Sequence, residues 1–356
     1  MSRPTRAIID LAALRANLQR VKTCASSQRI MAVLKANAYG HGAIRVAEML
    51  ESHVNAFAVR SLEEALTLRD AKISKPIVLL EGFFQPEELP LIAQEAIEIV
   101  MHTGKQFEDL INTPLQKPIN VWIKVDTGMH RLGFCPDDIE AIYNRLKQCP
   151  QVATIRLISH LPCADDHEDA ITEVQSEDVE ELATRLGLES SLANSAGVLG
   201  WPETHFDWVR PGIMLYGASP FPNRTGTDEG LQPVMQFQST LISVKRLQKG
   251  DHIGYGATWT CPQYMLVGVV ACGYADGYPR NAPTGTPVLV NGTRVPLIGR
   301  VSMDMITVDL RHQPNARIGD PVVLWGKNLP VEEVASLSGT ISYELLTHVN
   351  CPIESH

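Results

Sequence analysis

The stretch IMAVLKANAYGHGA, Ile30–Ala43, joins an apolar run to a turn of small residues, with one lysine at the junction. Ile30–Leu34 reads as a buried strand, and Lys35 follows it at once. The bland reading is a solvated lysine that ends a strand. The sharper reading depends on what the neighbouring strands form, because a lysine at the mouth of a barrel strand stands where barrels place their chemistry.

Seven more apolar runs follow at similar intervals: AFAVR (56–60), PIVLL (76–80), IEIVM (97–101), INVWIKV (119–125), TIRLIS (154–159), SLANS (191–195) and DWVRPGIML (207–215). Amphipathic stretches lie between them. SLEEALTLRD offers Ser61 and Glu64 as a capping box. PDDIEAIYNRLKQC carries acids in its first turn and bases in its last, which suits the helix dipole. Strands alternating with helices indicate parallel βαβ units, and eight strands are the number that closes a (β/α)8 barrel. A doubly wound open sheet fits the same alternation, and periodicity does not separate the two.

Beyond about residue 225 the texture changes. Short alternating runs punctuated by Gly and Pro take over (STLISVKRL, MLVGVVACG, TPVLVNG, ITVDL, PVVLWG), with one helical stretch, VEEVASLSG. That pattern is an antiparallel β domain, and PFPNRTGTDEG (220–230) is its linker. The expected organisation is α/β: a TIM-type barrel over 1–225 carrying Lys35, then a mainly antiparallel β domain over 226–356.

Bulk properties narrow the function classes. A chain of 356 residues with 44% hydrophobic and 20% charged residues is an ordinary globular protein long enough for two domains. Its net charge of −9 argues against a nucleic-acid partner. The seven cysteines include no C-x-x-C pair, which argues against a disulfide framework or a zinc site and for a reducing compartment. Asp10 interrupts the only apolar segment near the N-terminus, and no run approaches the length of a membrane span. The expectation is a cytoplasmic protein without a membrane or metal role.

Three strand ends carry chemistry. Lys35, if desolvated, can lose its proton near neutrality and act as a base or a nucleophile toward a carbonyl. The glycines of AYGHG permit close approach of backbone to a ligand. KVDTGMHRLGF (124–134) brings Lys124, Asp126 and Arg131 to a second strand end, where a structural ion cluster is the competing reading. In the third, Arg210 stands inside an apolar strand, where a charge is costly unless paired. Pro211 and Gly212 behind it leave N–H groups at a turn, and LANSAG sets Asn194 and Ser195 at the preceding strand end. Hydroxyl and N–H groups on adjacent strand ends make a phosphate site. The Gly- and Tyr-rich segments of the β domain read individually as cross-strand packing.

Taken together, VLKANAYGHG, KVDTGMHRLGF, DWVRPGIMLYG, GYGATW, CGYADGYPR and VSMDM, in that order from residue 33 to residue 305, resemble the signature motifs of the alanine racemase family. The resemblance implies a fold-type III enzyme that uses pyridoxal 5′-phosphate and works as a homodimer with shared active sites. Lys35 matches the lysine that holds the cofactor and moves the proton of D-alanine. Tyr255 matches the base for L-alanine, which enters from the other subunit. Arg210 matches the arginine facing the pyridine nitrogen, and His160 the histidine that supports it. Tyr39, Ser195, Gly212, Ile213 and Tyr343 match positions around the phosphate. Arg131 and Met303 match contacts to the substrate carboxylate, and Tyr274 and Asp304 match the entrance. Lys124 matches a lysine that is carbamylated in many members.

Two departures stand out. Leu-Pro-Cys follows His160 where an aromatic and small residues are usual, so the proline is expected to shift that loop. The C-terminus, YELLTHVNCPIESH, keeps Tyr343 but diverges beyond it. Rival readings are a racemase of the same fold acting on serine or a broader range, a decarboxylase of basic or diacid amino acids, and a non-enzymatic cofactor carrier built from the barrel alone. The β domain bearing Tyr255 argues against the carrier. The motif arrangement argues against the decarboxylase.

Overall fold

The computed structural model describes residues 3–355; positions 1–2 and 356, the outermost ends of the two expected domains, lie outside it. After a first strand β1 (Arg6–Ile9), eight parallel strands close a barrel: β2 (Arg29–Val33), β3 (Ala56–Val59), β4 (Ile77–Leu79), β5 (Ile97–Met101), β6 (Ile119–Lys124), β7 (Val152–Ile158), β8 (Ser190–Ser191) and β9 (Trp208–Val209). β2 pairs with β3 on one side and with β9 on the other, Ile30 opposite Val209, so an open sheet is excluded. β3, β4 and β5 are buried at every residue, which is why these strands read as continuous apolar runs rather than alternating ones.

The last two strands are much shorter than their apolar runs. Asn194 caps a helix, Ser195–Gly200, by accepting from the Gly197 N–H, and this ends β8. Pro211 has no N–H to continue β9, and Ile213–Tyr216 winds into a 3-10 turn. At the Ser61 helix (Leu62–Asp70), neither bond of the expected capping box forms. Ser61 makes no side-chain cap bond. Glu64 instead accepts from the Arg60 N–H at 3.0 Å and, across the strand ends, from the Ala36 N–H at 2.8 Å. Its carboxylate is thus shared with the turn behind Lys35.

The second sheet is built on β10 (Met235–Leu247), which alternates buried and half-buried positions over its first half. Strands Met265–Val270 and Pro321–Trp325 pair with it antiparallel, and Pro287–Val290 and Ile306–Asp309 extend those. β1 completes it, antiparallel to β10 and parallel to Ile353–Ser355. The two ends of the chain are therefore neighbours in one sheet. Asp10, which breaks the apolar run after β1, accepts from the Ala13 N–H and starts the helix Leu11–Cys24.

Ion pairs and tryptophans hold the barrel together toward the start of its strands. Glu189 accepts from both Arg29 terminal nitrogens (2.9 and 2.6 Å), from Arg156 Nε (2.9 Å) and from Trp208 Nε1 (3.1 Å). Arg156 also reaches the buried Glu98 at 3.4 Å, and its guanidinium lies over the Trp122 and Trp208 rings. Burial pushes the Glu189 carboxyl up, but its hydrogen bonds from Arg29, Trp208 and Arg156 outweigh that and hold it at about 2. A carboxyl held below its unfolded value adds stability above the ordinary carboxylate range, and that contribution is lost as pH falls from about 4.5 to about 2. Replacing Glu189 with Gln is therefore expected to cost about 1 kcal/mol at pH 7, discounted because the group is partly exposed. Thermal unfolding followed from pH 7 to pH 3 should show the gap to the native chain narrowing as the acid limit is approached.

Candidate active site

The C-terminal ends of the barrel strands open into a cavity of about 770 Å³. Lys35 enters it from the end of β2, Lys124 is the last residue of β6, and Arg131 comes from the loop after β6. His160 follows β7, Asn194 and Ser195 follow β8, and Arg210, Gly212 and Ile213 follow β9. Tyr39 and Tyr343 close one side, the latter on the helix Ser342–His348 of the β region. Eleven expected residues therefore line one space.

Local sequence explains how several are held. Behind Lys35 the chain winds left-handed: Ala36, Asn37, Ala38 and Tyr39 all have φ between 51° and 54°. That conformation costs L-residues about 1–2 kcal/mol each, so it must be held from outside. Gly40 and Gly42, at φ 80° and 91°, end the turn. At Gly40 the space left by the missing side chain is filled by the chain itself. A Cβ on Gly40 would stand 2.2 Å from the Leu346 carbonyl oxygen, so this glycine lets the turn press on the helix that carries Tyr343.

Arg210 is buried and held by four partners. It donates to Ser191 Oγ (2.6 Å) and to the carbonyl oxygens of Ser159 (2.6 Å) and Leu192 (3.2 Å), and it meets His160 Nδ1 at 3.4 Å. Burial lowers its pKa only to about 10, so it stays a cation. Burial and then the Arg210 charge hold His160 well below the usual histidine range, leaving its Nδ1 free of a proton to accept from the guanidinium. The Leu-Pro-Cys departure leaves this contact in place. Leu161 is buried against Ala164, Trp201 and Phe221, and its carbonyl oxygen accepts from Asn194.

The Ser195 hydroxyl accepts from the Gly212 N–H at 2.9 Å and the Met214 N–H at 3.3 Å, which gathers the two strand ends. Gly212 has an unstrained φ of −121°, and its lack of a side chain serves space instead. A Cβ there would come within 2.6 Å of Tyr39 Oη. Tyr39 leans into the notch that this glycine leaves.

Charge dominates the interior. Burial lowers the Lys35 amine, helped by the Arg131 charge, and burial with Arg210 and Arg131 lowers Lys124 to about 7. Lys35, Lys124, Arg131 and Arg210 face the cavity, with carboxylates only from Glu81 and Glu344 among its lining residues. Such a site favours a polyanion and keeps an amine ready to act as nucleophile or base. Glu81, Glu344 and Thr347 were not anticipated. Glu81 follows a strand end as Lys35 does, and Tyr343, Glu344 and Thr347 share a helix face at i, i+1, i+4 spacing, which are signals the sequence contains.

Tyr255, Tyr274, Met303 and Asp304 are absent from the lining. Tyr255 is 69% exposed and Met303 54%, and both belong to the β region. The Tyr274 turn is tied to the Met303 segment, since the N–H groups of Tyr274 and Ala275 donate to the Ser302 and Met303 carbonyl oxygens at 3.1 and 2.9 Å. Within one chain all four are exposed.

Comparison with known proteins gives one answer. Family models for the alanine racemase N-terminal and C-terminal domains match residues 9–220 and 234–355. The alanine racemase of Nitrosococcus oceani is 55% identical over 96% of both chains, and that of Vibrio parahaemolyticus 49% over 98% of both. The crystal structure of the biosynthetic alanine racemase from Pseudomonas aeruginosa superposes with a TM-score of 0.95 at 47% identity, covering 99% of each chain. The Bacillus anthracis alanine racemase with bound L-Ala-P gives 0.88 at 30% identity, over 100% of this chain and 96% of that one.

The Arg210 network yields a stability prediction. Replacing Arg210 with Leu strands the Ser159 and Leu192 carbonyl oxygens and Ser191 Oγ in a buried space, at an expected cost of about 2–4 kcal/mol. Arg210→Lys, which keeps charge but loses the fork, should fall between. Urea unfolding of the three proteins checks the order.

Proposed function

The chain belongs to the alanine racemase family, and on that premise we propose that it interconverts L- and D-alanine with pyridoxal 5′-phosphate held through Lys35. Lys35 and the Tyr255 of a second copy of the chain are the two bases in this reading. The observation that carries it is a lysine, its amine lowered from the usual value, at the C-terminal mouth of a closed barrel and facing a cavity lined with cations.

The residues fit the cofactor. An amine that is readily deprotonated suits a covalent bond to an aldehyde. Ser195 Oγ, the Gly212–Ile213 backbone, Tyr39 and Tyr343 would hold the phosphate at one end, and Arg210 would face the pyridine nitrogen. Pyridoxal phosphate supplies an electron sink for the pair left behind when a Cα–H bond breaks.

The chain's own groups supply the rest. Lys35 takes or returns the Cα proton on one face of the substrate. Tyr255 of the second copy does so on the other face, beside the positive charge of Arg131. Arg131 and Met303 would orient the substrate carboxylate, and Tyr274 and Asp304 would line the entrance. Arg210 stays protonated and has no proton to give to a ring nitrogen. It would hold that nitrogen by a hydrogen bond alone, which would limit electron flow into the ring and favour reprotonation at Cα over transamination. Lys124 near pKa 7 is a neutral amine for much of the time at physiological pH, the form that takes up carbon dioxide, and a carbamate there would give Arg131 an anionic partner.

The proposed role is a cytoplasmic homodimer that supplies or degrades D-alanine, a precursor of peptidoglycan. Chiral analysis of the purified protein with pyridoxal phosphate and L-alanine, with L-serine in parallel, tests it. D-alanine should accumulate and be abolished by Lys35→Ala. Tyr255→Phe should lower the L-to-D rate by about 10²-fold or more. Faster D-serine formation would keep the chemistry and change the substrate, whereas no D-isomer from either would sink the reading. Labelled bicarbonate should give a carbamate carbon signal that Lys124→Met removes.

A further inference from the structure

The left-handed turn Ala36–Tyr39 contains no glycine, so something outside its own sequence must hold it. Glu64 fixes its start through the Ala36 N–H, and Asn37 Oδ1 accepts from the Ala43 N–H at 2.9 Å. Its far end is held by His41. His41 Nδ1 lies 3.1 Å from the Ala38 carbonyl oxygen and 2.8 Å from that of Tyr39. Both oxygens only accept, so Nδ1 carries the proton.

The surroundings of His41 show why a histidine stands there. It is completely buried, and burial drives its pKa to about 4, so the ring is neutral. The ring packs on Tyr216 at 4.6 Å, and Tyr216 stacks on Tyr39 at 4.8 Å. Nε2 finds no partner among the described residues. An unmet buried acceptor is a cost that a phenyl ring would avoid while keeping the packing. What phenylalanine lacks is the Nδ1 donor.

We propose that His41, by donating from Nδ1 to the carbonyl oxygens of Ala38 and Tyr39, is a positioning residue that sets the Tyr39 hydroxyl at the phosphate end of the cavity. The hydroxyl's place is narrow, because it occupies the notch at Gly212 next to the Ser195 bond. The proposal rests on the reading that Lys35 and Tyr39 serve pyridoxal phosphate, and it adds how the turn between them is held.

Two variants separate donor from packing. His41→Phe keeps the ring against Tyr216 and loses the donor; His41→Asn keeps an N–H close to the Nδ1 position and loses the ring. Cofactor-stripped native and variant proteins are titrated with pyridoxal phosphate and with pyridoxal, which lacks the phosphate, and the melting temperature of each stripped protein is recorded. His41→Phe is expected to weaken pyridoxal phosphate about tenfold while pyridoxal stays within about twofold, and His41→Asn to recover most of the loss. Should His41→Phe fail to fold, His41→Leu serves as the donor-free variant, and His41→Asn against the native chain still reads the donor. Unchanged pyridoxal phosphate affinity without the donor overturns the proposal. So does an equal loss for both ligands that follows the melting temperature, or an Asn variant no better than Phe. Native protein that binds neither ligand would remove the functional reading itself, an outcome distinct from these.

Discussion

Ile30 pairs with Val209 where the first and last barrel strands meet, and the seam continues as the Val33 N–H donates to the Pro211 carbonyl oxygen at 3.0 Å. The end of the cavity where Tyr39, Ser195 and Gly212 meet is registered to this closure. Tyr216 Oη donates to the Val33 carbonyl oxygen at 2.7 Å, and Gly212 stands against both Val33 and Tyr39. Groups from both ends of the barrel sequence thereby become neighbours. A slip of one residue along this seam would turn Arg210 from the cavity to the other face of the sheet, since side chains alternate along a strand.

Closure also creates the electrostatic problem that defines the site. Four cations converge on one cavity, and the protein resolves this unevenly. Arg210 keeps its charge because serine and carbonyl oxygens surround it. Lys124 and Lys35 lack such partners, and their amines give way instead. One set of burials thus divides like groups into a fixed cation and two reactive amines, which is how neighbouring titratable groups come to hold different roles.

The barrel was legible because most of its strands are buried on both faces and so leave short, mainly apolar runs. The lengths of β8 and β9 were not, since the same apolar letters continue through Asn194 and Pro211 into a helix and a 3-10 turn. β1 was hidden for a different reason: Arg6–Ile9 is four residues long and finds its partners at the far end of the chain, and no local pattern encodes that. The left-handed turn behind Lys35 is equally invisible locally. Ala, Asn, Ala and Tyr prefer other conformations; Glu64 holds this one through a bond that only the folded chain brings into range, and His41, two residues on, through its ring. The capping box misread at Ser61 is the same effect, a carboxylate taken by a tertiary partner.

Two sides of the cavity are treated differently, and the difference bears on what completes it. On one side the helix Ser342–His348 brings Tyr343, Glu344 and Thr347 to the lining, fastened by Gly40 packed on Leu346. Tyr255, Met303 and Tyr274 present large apolar or aromatic surface outward, together with Met305, which is 41% exposed. These are not frayed ends. The Tyr274 turn carries a bond from the Gly273 N–H to Asp276, and Asp276 is gripped through both carboxylate oxygens by Arg3, which also donates to the Asp304 carbonyl oxygen. A surface that is both apolar and rigidly braced has met its ordering cost in advance, which is how interfaces are prepared. The barrel mouth has one wall built by its own helix, and the braced surface lies outside that cavity, where it suits the site shared between two copies that is proposed for this chain.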